Sequence, residues 1–228
     1  MGGVKILAFA YRNWALRALT RVVEHRPDVE MHVYKEPGEV TAKLCDKVKP
    51  DLVLFYGWSW IVPDDVVDNW LCICLHPSPL PKYRGGSPIQ HQILNGERKS
   101  KVTFFRMTRE LDAGPICAQV SLPLTFTLSE IFEDISGIAI IETLKFLKML
   151  EQGKEFPWRD QQGKPTIYRR RRPADSMLTQ EELSHLPARY LHDKIRALAI
   201  EEEDYPAAFI VCADGEKLYL TGSKLGEK

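Results

Sequence analysis

Short apolar runs alternate with segments of helical periodicity along the first part of the chain. Residues 4–10, 31–34, 51–56 and 71–75 are runs of strand length. Unbroken apolar runs of this kind fit strands buried on both faces. Between them, residues 14–24 carry Leu16, Leu19 and Val23 at helical spacing, and residues 39–49 read as a helix stopped by Pro50. The alternation predicts right-handed βαβ units and a Rossmann-like α/β fold, with a mostly parallel sheet covered by helices on both faces.

Residues 87–94 read as a further helix, and residues 102–107 and 116–122 as two strands joined around "RELDAGP". Residues 127–150 predict the longest helix. Thr127 and Glu130 fit a capping box, and Ile131, Ile135, Ile138, Ile141, Leu144 and Leu147 keep one apolar face. A polar connector, "QQGKPTIYRRRRPADS", follows at residues 161–176. Residues 186–198 suggest a helix, and residues 208–220, broken by Asp214-Gly215, a hairpin. The expected division is a catalytic domain over residues 1–170 and a short extension of helix and β-hairpin over residues 171–228. The hairpin edge invites pairing in a homodimer.

Composition narrows the classes. The 228 residues suit one medium domain with a small appendage. Equal numbers of basic and acidic residues, 31 each, count against a nucleic-acid binder. The run Arg169-Arg170-Arg171-Arg172 reads first as a solvated face, with contact to a diphosphate or to a partner subunit as the other readings. Five cysteines without zinc-type spacing read as free thiols in a reducing compartment. Met1-Gly2-Gly3 leads directly into an apolar run, so no export signal is expected, and no run approaches the ~20 apolar residues that span a bilayer. A cytoplasmic protein without membrane association is expected. His25, His32, His91, His185 and His192 show no metal-ligand spacing, so no metal is expected. The first strand-to-helix turn, "AFAYRNW", lacks the glycines of a dinucleotide site.

The densest chemistry lies in "CLHPSPLPKYRGGSP", residues 74–88. Ligands in open α/β sheets bind beyond the carboxyl ends of the strands, where His76 falls. Pro77, Pro79 and Pro81 restrict the backbone and so hold His76 and Ser78 in position. Gly85-Gly86 permits close backbone approach, and the helix start after it can meet an anion. Lys82, Arg84 and the Gly85–Gly86–Ser87 turn are candidates for phosphate contacts, as is Arg12 in the first strand-to-helix loop. Asp112, within "ELDAGPI", can meet His76 at one mouth of the sheet. An aspartate beside a histidine favours the charged imidazole and fixes its tautomer. Each of these residues also has a bland reading as a turn or solvated loop residue.

Two motifs, "LHPSPLPKYRGGSP" and "TFFRMTRELDAGPI", together resemble the folate-dependent formyltransferase family. The features "AYRNWAL", "YGWSWIVP", "YRGGSPIQ" and "TIYRRRRPADS" are most similar to its sugar-nucleotide N-formyltransferases. The resemblance implies transfer of a formyl group from N10-formyltetrahydrofolate, without a metal, to the amine of a dTDP- or GDP-linked amino-dideoxy sugar for surface polysaccharide. It implies that His76 and Asp112 assist amine attack. It also implies that Tyr56, Trp58, Trp60, Ile61 and Val62, with Arg109, Glu110 and Leu111, line the pterin pocket. One departure stands out: Cys74 occupies the place of the family asparagine that donates to the developing oxyanion. A thiol is a weaker donor. Two other readings follow from the same residues. One is a methionyl-tRNA formyltransferase-like enzyme, disfavoured by the neutral charge and by the few residues after 175. The other is a non-catalytic homologue that binds a folate or nucleotide sugar.

Overall fold

The structure is a computed structural model that describes residues 3–199 and 206–226. Met1 and Gly2, on which the expectation about an export signal partly rested, lie outside the described residues. Four parallel strands come first: β1 (Lys5–Phe9), β2 (Glu30–Tyr34), β3 (Leu52–Tyr56) and β4 (Cys72–His76). They are joined through α1 (Asn13–His25), α2 (Ala42–Val48) and α3 (Asp64–Asn69). A two-residue strand β5 (Arg84–Gly85) and α4 (Pro88–Leu94) lead to β6 (Lys99–Arg106) and β7 (Ile116–Pro123). These last two strands are antiparallel, and the sheet order is β2-β1-β3-β4-β6-β7. α5 (Leu128–Glu151) follows, with its capping box formed by Thr127 and Glu130.

Side-chain alternation sorts the core into two layers. Ile6, Ala8, Leu52, Leu54, Tyr56, Ile73 and Leu75 pack on α1, α4 and α5. Leu7, Phe9, Val53, Phe55 and Cys72 pack on α2 and α3, with Cys74 against them. Cys74 and His76 therefore share the side of β4 that faces α3. Tyr56 points the other way, and its hydroxyl bonds Thr143 of α5 at 2.8 Å.

Some elements differ from the sequence reading. The helix expected from residue 39 starts at Ala42, because the Thr41 side chain accepts from the Leu44 amide and caps it. The short helix α3, and strand β5 paired with β8 (Ile167–Tyr168), carry no periodicity long enough to read. The connector is consequently not a free linker. After it come α6 (Gln180–His185), α7 (Ala188–Arg196) and the hairpin β9 (Ala208–Val211) with β10 (Lys217–Leu220). Among the described residues, no helix is long and apolar enough to cross a membrane.

The C-terminal elements gather their own small core of Leu178, Ile195, Leu198 and Ala208. Asp193 joins this unit to the sheet. It accepts two hydrogen bonds from Arg98, at 3.1 and 2.9 Å, and one from Arg196 at 2.7 Å. Arg196 in turn donates to the carbonyls of Leu124 and Phe126. Burial alone would raise the Asp193 carboxyl, but the Arg196 and Arg98 guanidiniums outweigh it and hold it below the usual carboxylate range. Asp193→Ala leaves both arginines short of a partner, and a loss of about 3 kcal/mol is expected by urea denaturation. The pH dependence has a defined sign. The folded value lies below the unfolded value of about 3.9, so this stability is present above that pH and drains away as pH falls through the folded value. Between pH 6 and acid conditions, wild type should lose more stability than Asp193→Ala.

Candidate active site

An apolar cleft of about 620 Å³ opens beyond the carboxyl ends of β1, β3 and β4. Its floor carries Cys74, His76 and Asp112. His76 ends β4 and is buried. Its Nε2 lies 2.7 Å from the carbonyl oxygen of Tyr83. A carbonyl only accepts, so in the neutral ring Nε2 carries the hydrogen and Nδ1 carries the lone pair. Nδ1 sits 3.7 Å from the Asp112 carboxylate. The tautomer is thus set by a backbone carbonyl, whereas the sequence pointed to Asp112 for that role.

Asp112 arrives by an indirect path. β6 runs antiparallel to β4, pairing Arg106 with Ile73, so β6 ends beside the start of β4. The β6–β7 loop then folds back toward His76. Gly114 allows this turn, because a Cβ there would lie 1.8 Å from the Arg106 carbonyl oxygen. Asp112 itself adopts φ 48, a left-handed conformation that aspartate tolerates better than most residues. Its carboxylate accepts the Gly85 amide at 2.7 Å.

The loop between β4 and α4 is stiff for reasons beyond its prolines. Ser78 is fully buried; its hydroxyl donates to the Lys82 carbonyl, and its own carbonyl accepts from Thr103 at 2.6 Å. Gln92 donates to the carbonyls of Pro77 and Pro88. Gly85 has φ +92, and a Cβ there would sit 2.3 Å from the Tyr168 carbonyl oxygen. At Gly86 a Cβ would sit 2.4 Å from Arg170 Cα. Both glycines are needed for β8 to approach.

One wall of the cleft is aromatic. Trp58 and Trp60 meet edge to face at 4.8 Å, and Tyr11 packs on Trp60 at 4.5 Å. Val62, Phe105, Met107 and Leu111 extend this wall. Trp58 Nε1 is buried with no hydrogen-bond partner among the described residues. Ile61, Trp60 and Leu111 are exposed hydrophobic residues at the rim. Arg109 is exposed and pairs with Asp68. The cleft is also lined by Arg12, Gly85, Gly86, Ser87, Arg169 and Arg170, with the Arg12 guanidinium over the Tyr11 ring at 4.7 Å. The arginine run is therefore not simply a solvated face. Arg169 and Arg170 line the cleft, Arg169 also pairs with Asp175, and Arg171 is buried.

Four expected site residues do not line the cleft. Tyr56 has the wrong strand parity and is bonded to Thr143. Ser78 is buried as a loop brace. Lys82 is exposed outside the cleft. Arg84 turns away to Glu110 at 3.1 Å and Gln161 at 2.9 Å. Sequence reasoning missed Tyr168, Arg169 and Arg170 as cleft residues. Their signal was the tyrosine-flanked basic run "IYRRRR", which pairs with a strand of only two residues.

Burial, aided by the nearby Asp112 charge, pushes the Cys74 thiol well above its ordinary value. Cys74 is consequently a neutral S–H group in the floor of the site. Its sulfur lies 3.7 Å from the Leu75 carbonyl oxygen, a weak contact.

Known proteins share this architecture. A formyl transferase family model matches residues 19–132. The methionyl-tRNA formyltransferase of Wolinella succinogenes is 30% identical over 194 residues, covering 83% of this chain and 59% of that protein. Across the curated relatives it matches, the chain spans 35% to 59% of their length. The structure of methionyl-tRNA formyltransferase from Clostridium thermocellum superposes with a TM-score of 0.81 at 26% identity, covering 92% of this chain and 88% of that one. A 4-N formyltransferase from Francisella tularensis superposes at 0.76 with 18% identity, covering 99% and 100% of the two chains. The family match takes in half of the 228 residues, including β3, β4 with His76 and the β6–β7 loop with Asp112, and the chain belongs to the formyl transferase family.

Proposed function

We propose that the protein is a folate-dependent N-formyltransferase that acts on the amino group of a nucleotide-linked amino-dideoxy sugar. The observation that carries this reading is the single free basic nitrogen of the site. With Nε2 committed to Tyr83, His76 offers Nδ1 alone, at the base of an apolar cleft and beside a carboxylate. A neutral amine is the nucleophile of such a transfer, and it must lose a proton as the new C–N bond forms. His76 Nδ1 takes that proton, and the imidazolium is then stabilised by Asp112, itself anchored by the Gly85 amide. The same proton can be returned to the nitrogen that departs.

N10-formyltetrahydrofolate supplies the activated formyl carbon. Trp58, Trp60, Ile61, Val62 and Leu111 would hold its flat ring system, and Arg109 and Glu110 lie at the edge of that wall. The unpartnered Trp58 Nε1 fits a ligand that brings a hydrogen-bond acceptor. Cys74 offers its S–H to the developing oxygen charge, a weaker donor than an amide. The acceptor side has Arg12, Arg169 and Arg170 with the Gly86–Ser87 backbone, a set suited to a diphosphate. The fold shared end to end with the Francisella 4-N formyltransferase fits transfer to an amine nitrogen.

The names of the curated relatives favour a second acceptor, methionyl-tRNA. The same arginines would suit RNA phosphates. The test is a donor-dependent assay with N10-formyltetrahydrofolate, a panel of dTDP- and GDP-linked amino sugars, and charged initiator tRNA, read by mass of the product. A formylated sugar is expected. A formylated tRNA would move the assignment to the second reading, and retained ligand binding without any product would mark a non-catalytic homologue. On the productive acceptor, His76→Ala is expected to lower kcat by about 10²–10⁴-fold with little change in donor affinity. Cys74 should resist alkylation at pH 8, reacting at under about a tenth of the rate of the same residue in unfolded protein, because the thiolate is the reactive form.

A further inference from the structure

The segment that holds the Tyr83 carbonyl lies outside the family-matched region. That carbonyl belongs to a residue with φ 61, a left-handed conformation that is costly for tyrosine and has to be held from outside. Thr166 holds it from both sides. Its hydroxyl accepts the Tyr83 amide at 2.8 Å, and its carbonyl accepts the Arg84 amide at 2.9 Å. The Tyr83–Arg84 peptide is therefore clamped: its C=O meets His76 Nε2 and its N–H meets Thr166. Two residues on, the Tyr168 ring stacks on the Tyr83 ring at 5.0 Å and 14°. Asn95 donates to the Tyr168 hydroxyl at 2.9 Å and fixes that ring in place. The Tyr168 carbonyl also accepts the Gly86 amide at 2.9 Å.

We propose that Thr166 and Tyr168 are positioning residues that fix the proton on His76 Nε2 by clamping the Tyr83 peptide, and so keep Nδ1 available as the base. The catalytic half of this proposal rests on the reading of His76 as proton acceptor; the tautomer half does not. Arg169 and Arg170 continue directly from this clamp into the cleft. The strand that would meet the acceptor's charge thus also sets the state of the base.

The test is the histidine side-chain proton–nitrogen correlation spectrum of the full chain, with the His76 signals assigned through His76→Asn. In wild type the neutral ring should show one tautomer, with hydrogen on Nε2. In Thr166→Val the hydroxyl acceptor is gone, and signals averaged between the two tautomers are expected. Thr166→Ser should restore the wild-type spectrum. Thr166 is exposed, so the valine variant leaves no cavity. If it nonetheless fails to fold, Tyr168→Ala carries the same expectation, with Tyr168→Phe as the variant that keeps the ring. On the productive acceptor, kcat of Thr166→Val should fall about 10-fold with donor KM unchanged. A His76 still locked with hydrogen on Nε2 in Thr166→Val would overturn the proposal, whatever the rate. Averaged tautomers with an unchanged kcat would overturn its catalytic half. An active His76→Ala would refute the function reading while leaving the tautomer result standing.

Discussion

The backbone between the Tyr83 carbonyl and the Gly85 amide holds both members of the His76–Asp112 pair, one at each end. The carbonyl accepts from His76 and the amide donates to Asp112. Three residues around it, Tyr83, Ser87 and Asp112, have positive φ without being glycine. Conformations of this kind persist where neighbouring structure over-determines them. Here the neighbour is β8, which arrives from about eighty residues further along the chain. It approaches so closely that Gly85 and Gly86 admit no side chain. The stiffness of the loop therefore comes as much from this late strand as from the prolines within it.

This dependence explains what was legible in the sequence. The strands β1, β3 and β4 and the helices α1 and α5 were readable because apolar periodicity is a local signal that repeats over several residues. His76 and Asp112 were readable because each falls in a loop next to a strand end. Tyr56 was placed in the site because it adjoins "GWSW", yet its parity with Leu52 and Leu54 already sends it to the α5 side. Arg84 and Lys82 were offered as phosphate contacts on charge alone, whereas their direction is set by the pairing of β5 with β8. That pairing spans two residues on each side and leaves no periodic trace. The same blindness made the arginine run look like surface.

The proposed function would divide along the same line. The family-matched segment carries His76, Asp112, Trp58 and Trp60, while Tyr11 of the aromatic wall precedes it. Residues 166–170 lie beyond it, and Arg169 and Arg170 bring charge to the cleft. Chemistry common to the family would then reside in one part of the chain and choice of acceptor in the other. Cys74 fits this arrangement as a neutral, desolvated thiol, a donor weaker than an amide but compatible with the pair beside it.

One cleft would place an amine against His76 Nδ1 and its phosphates against Arg169 and Arg170, the arginines that follow β8. The most direct measurement is a crystal structure with tetrahydrofolate and a dTDP-linked amino sugar bound together. The amine nitrogen is expected within about 3.2 Å of His76 Nδ1, the folate ring on the Trp58–Trp60 wall and the diphosphate at Arg169 and Arg170. An amine turned away from His76, or a diphosphate seated elsewhere, would contradict it.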